Sequence, residues 1–263
     1  MPGVARPADK RLSFDEVPDI YDEMRPSYPP TLFDVLFGML PSEPSIVEVG
    51  PGTGQATKDL LARGASVHAV EIGSATAAKL RQKLPSIRLQ VSVGDFEQID
   101  LPASSSDALF SATAYHWISA RAQTDRPAFL LRPDGIVAIV DLIQVTSAVD
   151  HGFFDAATPI YERYGEGRHG PAAPARDAVD PPMRKVLEED ERFHQVVVRR
   201  WDWDQTYTAA EYRKLMLTYS GTQMMVPSQR LGLLGDMEAL INQEFGGQIT
   251  RPLVATLTTA ALS

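Results

Sequence analysis

The sequence predicts an α/β fold of the doubly wound type, on three observations. Strand-like apolar runs alternate with helical patterns from residue 45 to residue 141. The first run, Ser45–Val49, passes directly into Gly50-Pro-Gly-Thr-Gly54, which packs three glycines into five positions. The second run closes on an acidic residue, Glu71, seventeen positions after Gly54. Alternation of this kind builds a parallel sheet covered by helices on both faces, because successive parallel strands need a crossover segment between them.

Taken in order, five strands are expected at Ser45–Val49, Ser66–Glu71, Leu89–Val93, Asp107–Ser111 and Gly135–Asp141. Helices are expected near Gln55–Arg63, Ser74–Leu84 and Ile118–Leu131. After residue 145 the pattern changes. The stretch from Tyr161 to Pro182 includes YGEGRHGPAAPARDAVDPP, whose glycines, prolines and alanines read as a mobile loop inside an inserted region. Val196–Val198 is a sixth strand candidate, Thr208–Thr218 and Leu231–Phe245 read as helices, and Ile249–Thr258 as a final strand. The domain division that follows is a flexible arm over 1–20, a ligand-binding core over 21–144, a helical cap and substrate region over 145–230, and a C-terminal helix and strand over 231–263 that complete the core.

Composition narrows the function classes. A chain of 263 residues with 44% hydrophobic content buries a sizeable core. The absence of cysteine removes disulfides, thiolate metal sites and cysteine nucleophiles, and fits a reducing, cytoplasmic setting. No apolar run approaches the ~18 residues of a membrane span, and the amino terminus MPGVARPADKRLSF lacks the apolar centre of a signal peptide. A net charge of −9 argues against nucleic acid and anionic membranes as partners and favours small molecules. His68, His151 and His194 show no metal-ligand spacing, so no metal is expected.

The glycine turn lets main chain approach a ligand closely, since Gly50, Gly52 and Gly54 carry no side chain. A dinucleotide fingerprint would need a third glycine in register. Gln55 stands there when counting from Gly50, and Thr57 when counting from Gly52. Glu71, at the end of the second strand, can accept from both hydroxyls of a ribose, which points to an adenosine ligand. Asp95 can accept from an adenine amine, and Phe96 beside it either packs on adenine or fills the core. Tyr21 and Arg25 either close the pocket or lie on a solvent-facing helix. His116 follows the fourth strand at the edge where ligands bind, and its imidazole suits a general base or a structural role.

The segments Glu48-Val-Gly-Pro-Gly-Thr-Gly-Gln55, Val70-Glu71, Gly94-Asp95-Phe96, Ala114-Tyr-His-Trp-Ile118 and Leu131-Arg-Pro-Asp-Gly-Ile136 resemble the class I S-adenosylmethionine-dependent methyltransferases, in their small-molecule branch. The resemblance implies a Rossmann-like, mostly parallel seven-stranded sheet with an inserted, mainly helical cap. It implies S-adenosyl-L-methionine as cofactor and S-adenosyl-L-homocysteine as product. By the same resemblance Glu48, Gly50, Gly52 and Gly54 hold the methionine part, Glu71 the ribose and Asp95 the adenine. Tyr21, Arg25, Gln55, Ile72, Phe96, Ala112 and Tyr115 are expected to complete the cofactor site, with His116 as the catalytic candidate. The expected reaction moves a methyl group to a small organic acceptor, at oxygen by preference, with nitrogen and carbon open. Two other readings stay open: a cofactor-binding protein without transferase activity, and a nicotinamide-dependent oxidoreductase.

Overall fold

The computed structural model describes residue 15 and residues 18–165 and 172–263. Its strands are β1 (Ser45–Val49), β2 (Ser66–Glu71), β3 (Leu89–Val93), β4 (Ser106–Ala112), β5 (Leu131–Gln144), β6 (Phe193–Asp202), β7 (Gln205–Thr208), β8 (Gln248–Arg251) and β9 (Leu253–Leu262). Seven of them form one sheet in the order β3-β2-β1-β4-β5-β9-β6, and β7 and β8 form a separate pair. The pairings β3-β2, β2-β1, β1-β4 and β4-β5 are all parallel. Strand order reverses between β1 and β4, and such a reversal opens a crevice at the carboxyl ends of the two strands.

The chain divides into two compact units. The larger contains Ser27–Ile143, Asp180–Trp201 and Ala255–Ser263. Alternation along its strands sends side chains to two cores. Val47, Val49, Leu109, Val137 and Ile139 pack with Tyr115 and Leu130 on one face, and Ile46, Ala108, Phe110, Ala138 and Val140 pack with Leu32, Phe33 and Leu36 on the other. The helix Thr57–Ala62 follows the glycine turn, and Ser74–Lys83 joins β2 to β3. Between β4 and β5 the helix expected over Ile118–Leu131 spans Ala122–Leu130, and a short 3₁₀ turn, Tyr115–Trp117, precedes it.

The smaller unit holds the described residues before Ser27, with Gln144–Val179 and Asp202–Val254. Its core joins Phe153 and Ala157 to Tyr212, Leu215 and Met216 and to Leu233, Leu234, Met237 and Ile241. Phe153 meets Phe154, Tyr212 and Phe245 edge-on, with centroids 5.1–5.4 Å apart. A capping box at Thr208 and Glu211 starts the helix Ala209–Leu217.

Three features differ from the sequence-based division. The final strand, expected as one run over Ile249–Thr258, is two strands broken at Pro252, which has no N–H to give to a ladder. β8 pairs antiparallel with β7, while β9 enters the large sheet between β5 and β6. The helix expected over Leu231–Phe245 spans Pro227–Glu244, and its apolar side chains join the core of the smaller unit, so the helix does not complete the sheet core. The segment Asp180–Trp201, expected in the cap, belongs to the larger unit, because Met183, Leu187 and Phe193 pack into the core around Leu130 and Leu131. Within the expected loop over 161–182, Arg176 bridges Asp204 and the carbonyl of Leu253. Arg168 and His169, within the same loop, lie outside the described residues.

Candidate active site

The turn after β1 is shaped by backbone that only glycine adopts readily. Gly50, Gly52 and Gly54 have φ of 64°, 60° and 96°. The Gly50 N–H continues the ladder to the carbonyl of Val70 at 2.9 Å. A Cβ on Gly50 would stand 2.5 Å from the Ala114 Cβ, so this turn packs directly against the exit of β4. A Cβ on Gly54 would stand 2.7 Å and 2.8 Å from the tips of Leu80 and Leu84. Gln55 is buried and donates to the Thr53 hydroxyl at 2.7 Å.

Two carboxylates flank this turn. Glu48 points off β1, is 1% exposed, and accepts the Thr57 hydroxyl at 2.7 Å. No cation among the described residues pairs with it. Burial pushes its carboxyl up to about 8, partly opposed by the Thr57 hydroxyl and reinforced by repulsion from Glu71. Glu71 accepts the N–H of Gly52 at 3.0 Å through one oxygen and the N–H of Gly73 at 2.9 Å through the other. Ile72 lies between these anchors in sequence, and the N–H of Gly94 bonds the Glu71 carbonyl at 2.9 Å, drawing the β3 exit to the β2 tip. There Asp95 accepts the Glu97 N–H at 3.0 Å, and Phe96 is buried with the Arg126 guanidinium 5.1 Å from its ring centre.

The exit of β4 forms the neighbouring wall. Ala112 ends the strand, and Thr113 follows at φ 56° with its N–H on the Val140 carbonyl and its hydroxyl paired with Tyr28 at 3.1 Å. Tyr115 is buried and donates to the Gln123 carbonyl at 3.0 Å, which fixes its ring in the core; burial pushes its phenol far up. His116 is exposed, with its ring 4.9 Å from that of Trp117. Asp141, next to Val140 on β5, was missed by sequence reasoning. Its Oδ2 is shut off from solvent with no hydrogen-bond partner among the described residues, and burial pushes its carboxyl up to about 6. Its position at the end of the fifth expected strand was the one available signal.

Residues 47–139 match a family model described as a methyltransferase domain. Over that span the chain is similar to methyltransferase domains. An uncharacterized methyltransferase of Mycobacterium bovis is 35% identical over 133 residues, which are 50% of this chain and 53% of the relative. The chain thus spans about half the length of the curated relatives it matches. Among solved structures, the YcgJ protein of Bacillus subtilis superposes with a TM-score of 0.56 at 15% identity, covering 88% of this chain and 97% of that one. A Haemonchus contortus phosphoethanolamine N-methyltransferase, solved with phosphomonomethylethanolamine and S-adenosylhomocysteine, superposes at 0.56 and 15% identity, covering 100% of this chain and 61% of that one. At these identities the structural likeness is one of fold.

In the larger unit Glu48, Gly50, Gly52, Gly54, Gln55, Glu71, Ile72, Asp95, Phe96, Ala112, Tyr115 and His116 lie at the carboxyl ends of β1 to β4 or in the segments that follow them. Tyr21 and Arg25 belong to the smaller unit. There the Arg25 guanidinium donates to the Thr218 carbonyl at 2.8 Å and lies 4.9 Å from the Tyr21 ring centre and 5.4 Å from that of Tyr219. No helix among the described residues is long and apolar enough to cross a membrane.

Proposed function

We propose that this protein transfers a methyl group from S-adenosylmethionine to a small organic acceptor. One observation carries the cofactor reading: a fully buried glutamate without a cationic partner among the described residues, Glu48, beside a turn of positive-φ glycines at the sheet's switch point. A buried carboxyl of this kind suits the ammonium of an amino-acid moiety, which would restore its charge. The Gly50–Gly54 main chain would hold the rest of that moiety, Glu71 the ribose hydroxyls and Asp95 the adenine amine, with Phe96, Ile72, Ala112 and Gln55 lining the pocket and Tyr115, its ring fixed in the core, backing that wall. When bound, the cofactor supplies an electrophilic methyl on a sulfonium whose sulfur departs neutral, so no general acid is required.

The protein's contribution is then position and proton management. Fixing donor and acceptor in line can supply ~7–11 kcal/mol in favourable cases. His116 is the proposed proton acceptor for an oxygen or nitrogen nucleophile, and Asp141 is a nearby strand-end carboxyl pushed up to about 6 by burial. The register of the turn argues against a nicotinamide cofactor, because the dinucleotide fingerprint lacks its third glycine. Calorimetry with S-adenosylhomocysteine, followed by a labelled-methyl screen over phenols, carboxylic acids and amines, tests the proposal. Saturable binding with transfer to one class supports it. Binding without transfer to any class favours the non-catalytic reading, and absence of binding overturns both.

A further inference from the structure

A second site lies wholly within the smaller unit. Phe154, Thr158 and Tyr161 stand at positions i, i+4 and i+7 of the helix Phe153–Arg163 and so share one face. With Tyr212 and Tyr219 they wall a cavity of about 230 Å³. This is smaller than the ~300–1,000 Å³ of pockets for drug-sized ligands, and suits a compact molecule. At its polar end sits Arg251, the last residue of β8. Its guanidinium donates to the Tyr219 hydroxyl at 2.9 Å and to the Gln144 side-chain oxygen at 3.1 Å. Both partners are neutral.

A guanidinium carries five N–H donors, and here two are engaged. The Nε is sealed from solvent with no partner, and no carboxylate among the described residues pairs with this cation. Removing an arginine from water without a counter-charge is costly, and a merely structural arginine would be expected to saturate its fork. The Arg25 guanidinium lies against the same Tyr219 ring, at 5.4 Å compared with 5.9 Å for Arg251, so two cations share one phenol. The surroundings of Arg251 are aromatic, and among the described residues they hold no carboxylate paired with it.

We propose that this cavity binds a small organic monocarboxylic acid, with its carboxylate on the Arg251 fork and its flat or apolar body between Phe154, Tyr161, Tyr212 and Tyr219. A carboxylate matches the planar fork through two parallel hydrogen bonds and supplies the missing charge. The Tyr161 and Tyr212 hydroxyls, 3.3 Å apart, offer a polar contact at the wall for a ring substituent. The site stands independently of the methyl-transfer reading, since it uses no residue assigned to the cofactor-holding turn.

The test is calorimetry on the full chain with benzoate, 4-hydroxybenzoate and cinnamate, each against its neutral amide. At least one acid is expected to bind at least tenfold tighter than its amide. Arg251→Gln should erase that preference, while Arg251→Lys, which keeps the charge and loses the fork, should leave a reduced one. Phe154→Ala should weaken acid and amide alike. Acid and amide binding equally to the wild-type chain, no acid of the three binding at millimolar concentration, or a folded Arg251→Gln variant with undiminished preference would each overturn the proposal. Should Arg251→Gln fail to fold, the wild-type comparison and Arg251→Lys decide.

Discussion

Replacing Glu48 with glutamine should make the larger unit's stability less dependent on pH. The wild-type carboxyl moves from an ordinary 4.5 to about 8 in the folded chain. A raised carboxyl penalises the charged form in the folded state, so its contribution is whole below about pH 4.5 and is lost as pH rises toward 8. Each tenfold change in proton affinity between the folded and unfolded chain corresponds to about 1.4 kcal/mol, which gives a loss of about 1 kcal/mol at pH 5 and about 4 kcal/mol at pH 7.5. Glutamine keeps an oxygen for the Thr57 hydroxyl and never ionises. Titrating groups that do not interact with Glu48 are common to both proteins and cancel in the difference. Urea unfolding of both proteins at these two pH values should show Glu48→Gln gaining about 3 kcal/mol on wild type between them. Parallel pH profiles would refute the reasoning, since they would mean that Glu48 ionises normally in the folded chain.

Other substitutions probe the neighbouring contacts. Gly50→Ala, at φ 64° and with its new methyl 2.5 Å from the Ala114 Cβ, should cost about 1–3 kcal/mol in thermal unfolding and abolish S-adenosylhomocysteine binding by calorimetry. Tyr115→Phe removes the bond to the Gln123 carbonyl and should lower stability by about 1 kcal/mol, read by chemical denaturation. Asp141→Asn should relieve a loss of stability that sets in as pH rises from 3.8 through about 6, a difference of about 2–3 kcal/mol between acid and neutral pH in paired unfolding curves. With an acceptor identified, His116→Ala should lower kcat strongly and leave S-adenosylhomocysteine affinity unchanged; equal turnover would remove the proton-acceptor role.

The half of the fold that begins at β1 is legible in the sequence because its signals are local. β1, β2 and β3 begin and end where the apolar runs do, and the glycines after Val49 announce the backbone that the turn adopts. The acidic ends of β1 and β2 are visible for the same reason. The C-terminal third is harder, because its periodicity does not say which core an amphipathic helix will join. The helix Pro227–Glu244 serves the smaller unit, and one proline assigns β8 and β9 to different sheets. Asp141 and Arg251 are invisible for another reason. Their interest lies in what does not surround them, a missing partner for Oδ2 and a missing carboxylate for the guanidinium among the described residues, and no spacing in the sequence encodes an absence. Arg25 reads from the sequence either as closing the pocket or as lying on a solvent-facing helix, and its contacts with Thr218, Tyr21 and Tyr219 in the smaller unit are a set joined only by folding.

The most direct test is a calorimetric titration of the full chain with S-adenosylhomocysteine near pH 7, in two buffers of different ionisation heat. A Glu48 carboxyl held protonated until an ammonium arrives should release roughly one proton per cofactor bound, and Glu48→Gln should bind more weakly with no release. Absence of binding, or equal binding by Glu48→Gln, would contradict the placement of a cationic cofactor at this carboxyl.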